Sequence, residues 1–336
     1  MKRVTELLYQ KTVRVYALLC LLLFIVTMMS LSIGTSYIPL SEVWQHFLGI
    51  SDGEHDFTIN VLRLPRLLLA FLVGAALSVS GLILQSIIRN PLASPDIIGI
   101  TAGGSVGAML FIVFLMGMIS IHWLPLAAIL GATFVAIMVY ILAWSNGVTP
   151  IRLVLIGIGV SAAMNAIVTL LIVVSETAVT TKAYLWLTGS LYGATFIDVY
   201  GMLPWVLIFI PLTFILAKTI SVLELGDELA TSLGVNVQFI RFALLFISVA
   251  LAGSAVAFAG GIGFIGLIAP HIAKKLVGYT FHILVPLAAL VGGVMVMIAD
   301  LIARTAFLPL DIPAGVFTAG VGAPFFIYLL YRNRHI

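Results

Sequence analysis

The chain has 336 residues, of which 62% are hydrophobic and only 9% charged, with a mean hydropathy of +1.24 and a formal charge of +3. That balance excludes an ordinary soluble domain and leaves room for about ten membrane spans of ~20 residues each. The basic residues are scattered, which argues against nucleic acid as a partner, and the single cysteine, Cys20, cannot form an internal disulfide.

The N-terminal "MKRVTELLYQKTVRV" leads into an apolar run from Tyr16 to Ile33. This run is longer than a signal-peptide core and has no convincing small-x-small cleavage site, so it reads as a retained first span. Apolar runs broken by charge, Pro and Gly then predict spans at 15–34, 61–86, 96–118, 125–144, 152–175, 199–218, 240–259, 262–274, 282–303 and 315–331. The eighth, "IGFIGLIAPHIAKK", is short for a full crossing. No Gly/Ser- or Pro-rich linker divides the chain, so residues 1–336 are expected to form one all-α transmembrane domain.

With the N-terminus placed inside and the spans alternating, twelve cations lie inside: Lys2, Arg3, Lys11, Arg14, Arg89, Arg152, Lys218, Arg241, Lys274, Lys275, Arg332 and Arg334. Four lie outside: Arg63, Arg66, Lys182 and Arg304. This bias sets both termini in the cytoplasm.

The second span opens with "LRLPR", two arginines on either side of Pro65. Proline fits the first helical turn, where its missing N–H has no partner to lose. Arg63 and Arg66 then stand at the positive end of the helix dipole, a placement costing roughly 0.3–1 kcal/mol each when exposed. They also violate the inside bias. Two readings follow: the arginines snorkel to lipid phosphates, or they await a partner. Further along, Ala70, Gly74 and Ser78, with Gly81 near the same face, allow another helix to approach closely, and Gln85 suits a hydrogen bond to a neighbour.

In "RNPLASPDIIGITAGGSVGA" the prolines break the helix, Ser94 or Asp96 can cap the next one, and Gly103, Gly104 and Gly107 permit close packing. No G-x-x-x-x-G-K-[ST] motif occurs, so an ATP-driven process needs a separate subunit. "LASPDIIGI" and "IGLIAPHIAKK" share a small-residue/Pro pattern on oppositely directed spans, an echo of an inverted repeat.

The longest inner connection, about 221–240, reads "SVLELGDELATSLGVNVQFI". Asp227 and Glu228 suit a helix N-terminus, Leu229 and Leu233 share a face, and Gly234 fits a C-terminal cap. The segment is either a docking ridge or a solvated connector. In "AFAGGIGFIGLIAPHIAKKLVG" the glycines allow backbone to line a cavity, and His271 has no spaced ligand partner, which favours a structural role over metal ligation. Asp300 and Arg304 stand at i,i+4 near the outer end of the ninth span, in the favourable order for an ion pair.

Three classes compete. An ion-coupled transporter calls for an ionisable group near mid-membrane, whereas each Asp and Glu falls in a loop or at a span end. An intramembrane enzyme calls for a nucleophile with its base or for metal ligands, and neither H-E-x-x-H nor G-x-S-x-G occurs. A passive pathway subunit calls for an inner docking helix, an outer charged rim and no internal chemistry, and this pattern is present.

"RNPLASPDIIGI", "LGDELATSLGVN", "GGIGFIGLIAPHIAKKLVG" and "DIPAGVFTAGVGAPFF" together resemble the FecCD family of permeases from binding-protein-dependent ABC importers. Asp311 stands where that family commonly has Glu, which keeps the charge. The resemblance implies the cobalamin-importer type of permease fold with ten spans, and a dimer with a second permease chain, identical or paralogous. It also implies two cytoplasmic ATPase subunits, an extracytoplasmic binding protein and no cofactor. The expected cargo is an iron–siderophore complex, with haem or cobalamin as alternatives. By the same resemblance, Arg63, Arg66 and Arg304 match outer arginines that pair with glutamates of the binding protein. Asp227, Glu228, Leu229, Ala230, Leu233 and Gly234 match a helix that couples to the ATPase. Gly157, Gly159, Ser161 and Asn165 of the fifth span are assigned to the translocation path.

Overall fold

The computed structural model describes residues 2–50, 53–278 and 280–332. Arg334, counted above among the inner cations, lies outside them. The elements, in chain order, are α1 (Lys2–Ser32), α2 (Leu40–Phe47), α3 (Leu64–Ile88), α4 (Ile100–Leu110), α5 (Leu124–Ala143), α6 (Pro150–Val173) and α7 (Thr177–Leu187). They continue with α8 (Phe196–Ile215), α9 (Ala217–Leu223), α10 (Asp227–Ser232), α11 (Val237–Ala259), α12 (Ile265–Val277), α13 (Phe281–Thr305) and α14 (Ala314–Arg332). Among the described residues eight helices are long and apolar enough to cross a membrane. With α4, continued by a π-helical turn to Leu115, and the short α12, they make up the ten expected crossings. The short helices α2, α7 and α9 had no counterpart among the sequence expectations.

α3 is the mast of the fold, packed against α13, α11, α12 and α8. The small-residue stripe accounts for this. A Cβ on Gly74 would overlap the Gly292 carbonyl of α13, and one on Gly81 would overlap the Gly266 carbonyl of α12. A Cβ on Gly292 would in turn overlap the Gly74 carbonyl and the Ser78 Cβ. In lipid, where helix association rests on packing rather than on expulsion of water, such backbone contact is the main attractive term. Ser80 adds a buried hydroxyl pair with Ser248 of α11 at 2.7 Å. Gln85 donates to the Gly266 and Leu267 carbonyls at 3.4 Å, and accepts from Lys274 at 3.1 Å. His271 sets its ring edge-on to Phe325 of α14, with centroids 5.8 Å apart.

On the outer side α2 is amphipathic. Val43 is buried, while Leu40, Trp44 and Phe47, which flank it on the same apolar stripe, are exposed, as suits a helix lying in the membrane interface. His46 and His55 tie it to the next turn through Asp56 at 2.7 Å and Glu42 at 2.9 Å.

The third span departs from expectation. Asp96 was placed at its inner end, but α4 begins only at Ile100, and the α3–α4 connection folds back into the protein. Ile97 and Ile98 lie where a Gly157 Cβ would fall, and Gly99 abuts Ser161. These α6 residues are seven and eleven positions past Pro150, so the loop climbs about 10–16 Å along a helix of some 36 Å. Pro95 meets Gly266 near the start of α12, and Thr101 of α4 approaches Gly261 just before it. Two half-length helices thus have their N-termini at depth, one from each side.

Replacing Gly74 by leucine should sharply lower the midpoint of thermal unfolding in detergent, since overpacking costs about 1–3 kcal/mol or more. Gly159→Ala, where a Cβ meets open space, should leave the midpoint unchanged. Equal midpoints for the two variants would refute backbone contact as the organising feature.

Candidate functional site: two guanidinium clusters at the ends of the mast helix

At the outer end the arginines turn out to have partners within the chain, which corrects the expectation that they stand unpaired. Arg66 is 8% exposed. Its Nε donates to Asp300 at 2.9 and 3.1 Å, and its two terminal nitrogens donate to Asp311 at 2.6 and 2.9 Å. Asp300 is 2% exposed and also lies 3.9 Å from Arg304 Nε, so the i,i+4 pair is a minor branch of a larger buried network. Arg63 donates to the backbone carbonyls of Leu31, Ser32 and Ser36, and Arg304 donates to the carbonyl and hydroxyl of Ser30. Leu31, Ser32 and Ser30 form the last turn of α1, so both cations sit at its negative end. The dipole that disfavours Arg63 on its own helix is offset by the one it caps.

Asp311 is the residue that sequence reasoning passed over. The signal available was its position: a charge retained in "DIPAG" directly before the last span. The cluster holds three arginines and two aspartates, a net charge of +1. Arg63, Arg66, Arg304 and Asp311, with Tyr192, Thr195 and Leu310, line an outward-opening cavity of about 450 Å³, while Asp300 is buried behind them.

At the inner end α10 is a single short helix, capped as expected by Gly234 at φ +84, with Val235 N–H donating to the Ala230 carbonyl at 3.0 Å. Its faces differ sharply. Leu229 and Leu233 are 56% and 65% exposed, Leu225 is exposed beside them, and Glu228 also faces out, whereas Ala230 is fully buried and cannot touch a partner. Asp227, 41% exposed at its side chain, is also an anchor. Both its oxygens accept from Arg241 at 2.9 Å, and Oδ1 also accepts from Arg89. Arg241, buried on α11, donates as well to the Val148 carbonyl of the α5–α6 loop. Burial works against the Asp227 charge, but the two guanidinium groups prevail and hold its carboxyl below the usual carboxylate range. One carboxylate therefore joins three inner connections: α3–α4, α5–α6 and α9–α11.

On α6, Gly159 and Asn165 are exposed on the chain surface, and Ser161 is half-buried with its hydroxyl donating to the Asp96 carbonyl at 3.3 Å. Gly157 is buried under the α3–α4 loop and lines no surface, a correction to its assignment to the path. Asp96 itself accepts from the Thr101 hydroxyl at 2.6 Å and stays open at the chain surface.

A ten-crossing helical body, with a cationic cavity at one end, an exposed leucine ridge at the other and half-helices meeting at depth, defines a membrane transport permease. The match to the FecCD transport family over residues 21–332 makes the family plain: the chain belongs to it. It is 49% identical over 317 residues to the achromobactin transport system permease protein CbrC of Dickeya dadantii (strain 3937), covering 94% of this chain and 90% of that one. It is 42% identical over 328 residues to the iron(3+)-hydroxamate import system permease protein FhuG of Bacillus subtilis (strain 168), covering 96% and 98%. A solved metal-chelate-type ABC transporter in an inward-facing conformation superposes with a TM-score of 0.83 at 32% identity, covering 95% of this chain and 99% of that one. The chain is thus a multi-pass permease of an ABC import system, not an enzyme, homologous to permeases of the bacterial inner membrane.

Asp300→Asn should cost about 3–5 kcal/mol, because it leaves a buried guanidinium short of its counter-charge. Asp311→Asn, at a side chain 26% exposed, should cost less. Thermal unfolding of the two purified variants checks the order, and a reversed order would refute Asp300 as the centre of the network.

Proposed function

We propose that this chain is one of two permease chains that together carry a ferric siderophore complex inward, driven by two cytoplasmic ATPase subunits and supplied by an extracytoplasmic binding protein. The observation that carries this reading is the leucine ridge of α10. Leu229 on this short helix, and Leu225 and Leu233 just before and after it, are exposed at the inner end of the molecule, and Asp227 pins the helix from behind. Exposed apolar side chains on a fixed helix suit a groove on another protein. Glu228 forms the polar edge of the same contact.

The outer cavity is the proposed seat of the binding protein. Because the arginines are held by Asp300, Asp311 and the end of α1, docking rests on the residual positive charge of the cluster rather than on free guanidinium groups. The path is proposed along the face of α6 that carries Gly159, Ser161 and Asn165, at the boundary with the second permease chain. A chelated iron needs no ligands from the protein, and a path that holds it weakly lets it leave. ATP binding closes the motors, the ridge moves, and the crossing helices switch from outward to inward access. Ferric chelates are favoured over haem or cobalamin as cargo, since the related permeases are named for achromobactin and iron(3+)-hydroxamate transport.

Two results are expected. With the complex reconstituted in nanodiscs, Leu229→Asp together with Leu233→Asp should abolish co-purification of the ATPase while the permease remains folded, and retained co-purification would remove the ridge from the interface. Capture of the cargo-loaded binding protein should weaken with rising ionic strength and with Leu310→Glu at the cavity rim, as expected for screened surface charge. Capture indifferent to both would place docking elsewhere.

A further inference from the structure

Arg89 caps the inner end of the mast helix and is the first residue of the loop that climbs toward Ser161. It adopts a left-handed conformation, φ 53° and ψ 38°, which a non-glycine residue holds only when its surroundings over-determine it. The constraint is visible: its Nε donates to the Leu223 carbonyl at the end of α9 at 3.1 Å, and its terminal nitrogen bonds Asp227 on α10. The side chain thus reaches across to the helix that carries the leucine ridge, while the backbone sets the direction of the α3–α4 loop.

That loop is stiff. Asn90 Oδ1 accepts from Leu92 N–H at 2.9 Å, and backbone turns follow in series from Asn90 to Ala93, Ser94 to Ile97 and Asp96 to Gly99, each closed at 3.1 Å. Its far end is wedged between α6 at Gly157 and Ser161 and α12 at Gly266. A body cross-linked at each turn moves as a unit instead of absorbing displacement. Asp227 has a second, independent anchor in Arg241, so the hold on α10 does not require Arg89.

We propose that Arg89 is a positioning residue for transport: it links the ridge helix to the α3–α4 loop, so that displacement of α10 becomes displacement of the loop against α6. The proposal deepens the functional reading above and rests on it. The Arg241 bridge keeps the ridge in place, and the Arg89 bridge delivers its motion to the membrane interior. Losing the first detaches the motor, and losing the second lets the motor run without moving cargo.

The test is Arg89→Asn in the complete complex of two permease chains, ATPase and binding protein in proteoliposomes, with ferric hydroxamate as cargo. Asparagine tolerates the left-handed backbone but cannot reach Asp227. The expected result is that the ATPase still co-purifies and hydrolyses ATP, while cargo taken up per ATP falls severalfold. Arg89→Lys, which keeps the charge without the planar fork, should recover part of that ratio, and Lys218→Ala, an exposed cation on the same side, should leave it at the wild-type value. An unchanged ratio in Arg89→Asn overturns the proposal, and so does a parallel loss of ATPase binding, which marks a structural role only. If Arg89→Asn fails to fold, the Arg89→Lys ratio decides in the same way. Failure of the wild-type complex to accumulate any ferric chelate would instead overturn the functional reading.

Discussion

Three helices meet at two crossings in which there is no room for side chains. Where α3 meets α13 at Gly74 and Gly292, and α12 at Gly81 and Gly266, backbone lies on backbone, so the three helices form one rigid unit across the membrane. Two guanidinium clusters hang from the two ends of that unit. Arg66 leaves its outer end to hold Asp300 and Asp311, and Arg89 leaves its inner end to hold Asp227. Each end gathers segments that are remote in sequence, and each does so with a guanidinium fork, the group best shaped to satisfy two acceptors in a plane. α6, with its small residues, is arranged about this frame and not within it.

The division of charge follows the same logic. At the outer end burial is nearly complete and the ions neutralise one another, leaving one positive charge on a cavity wall. A buried network of this kind is weak evidence for stability, and its hydrogen bonds tie α1, α3, α13 and the turn before α14 together. The inner knot is wetter, with Asp227 partly exposed between Arg89 and Arg241, and the energy of each bond there is smaller. Rigidity outside and exchangeable contacts inside suit a protein that receives a large partner on one face and is pushed from the other.

Much of this was legible in the residues. Hydropathy located the crossings because length and apolarity are local properties, and the stripe of Ala70, Gly74, Ser78 and Gly81 announced a close helix contact because helical spacing is local too. Gly234 announced the end of α10 for the same reason. What could not be read was pairing across the chain. Nothing near Arg66 in sequence points to Asp311, and the dipole argument for Arg63 was framed on its own helix when the relevant one was α1. Depth was hidden as well: a hydropathy window places Asp96 at a span end, and only the missing side chain at Gly157 shows that the loop climbs. The anchoring of Asp227 was hidden for a similar reason, since an acid at a helix start looks the same in sequence whether it faces water or two arginines.

The outer network also bears on how the chain is made. Arg66 is 234 residues ahead of Asp300 and 245 ahead of Asp311. During synthesis the second crossing therefore reaches the bilayer long before its counter-ions exist, and its guanidinium must be served by lipid phosphate and water at the surface. The helix can take its final depth only when α13 and the turn after it arrive. Assembly of the outer face is in this way deferred to the end of translation, and a chain truncated before Asp300 carries an unanswered charge that marks it as unfinished.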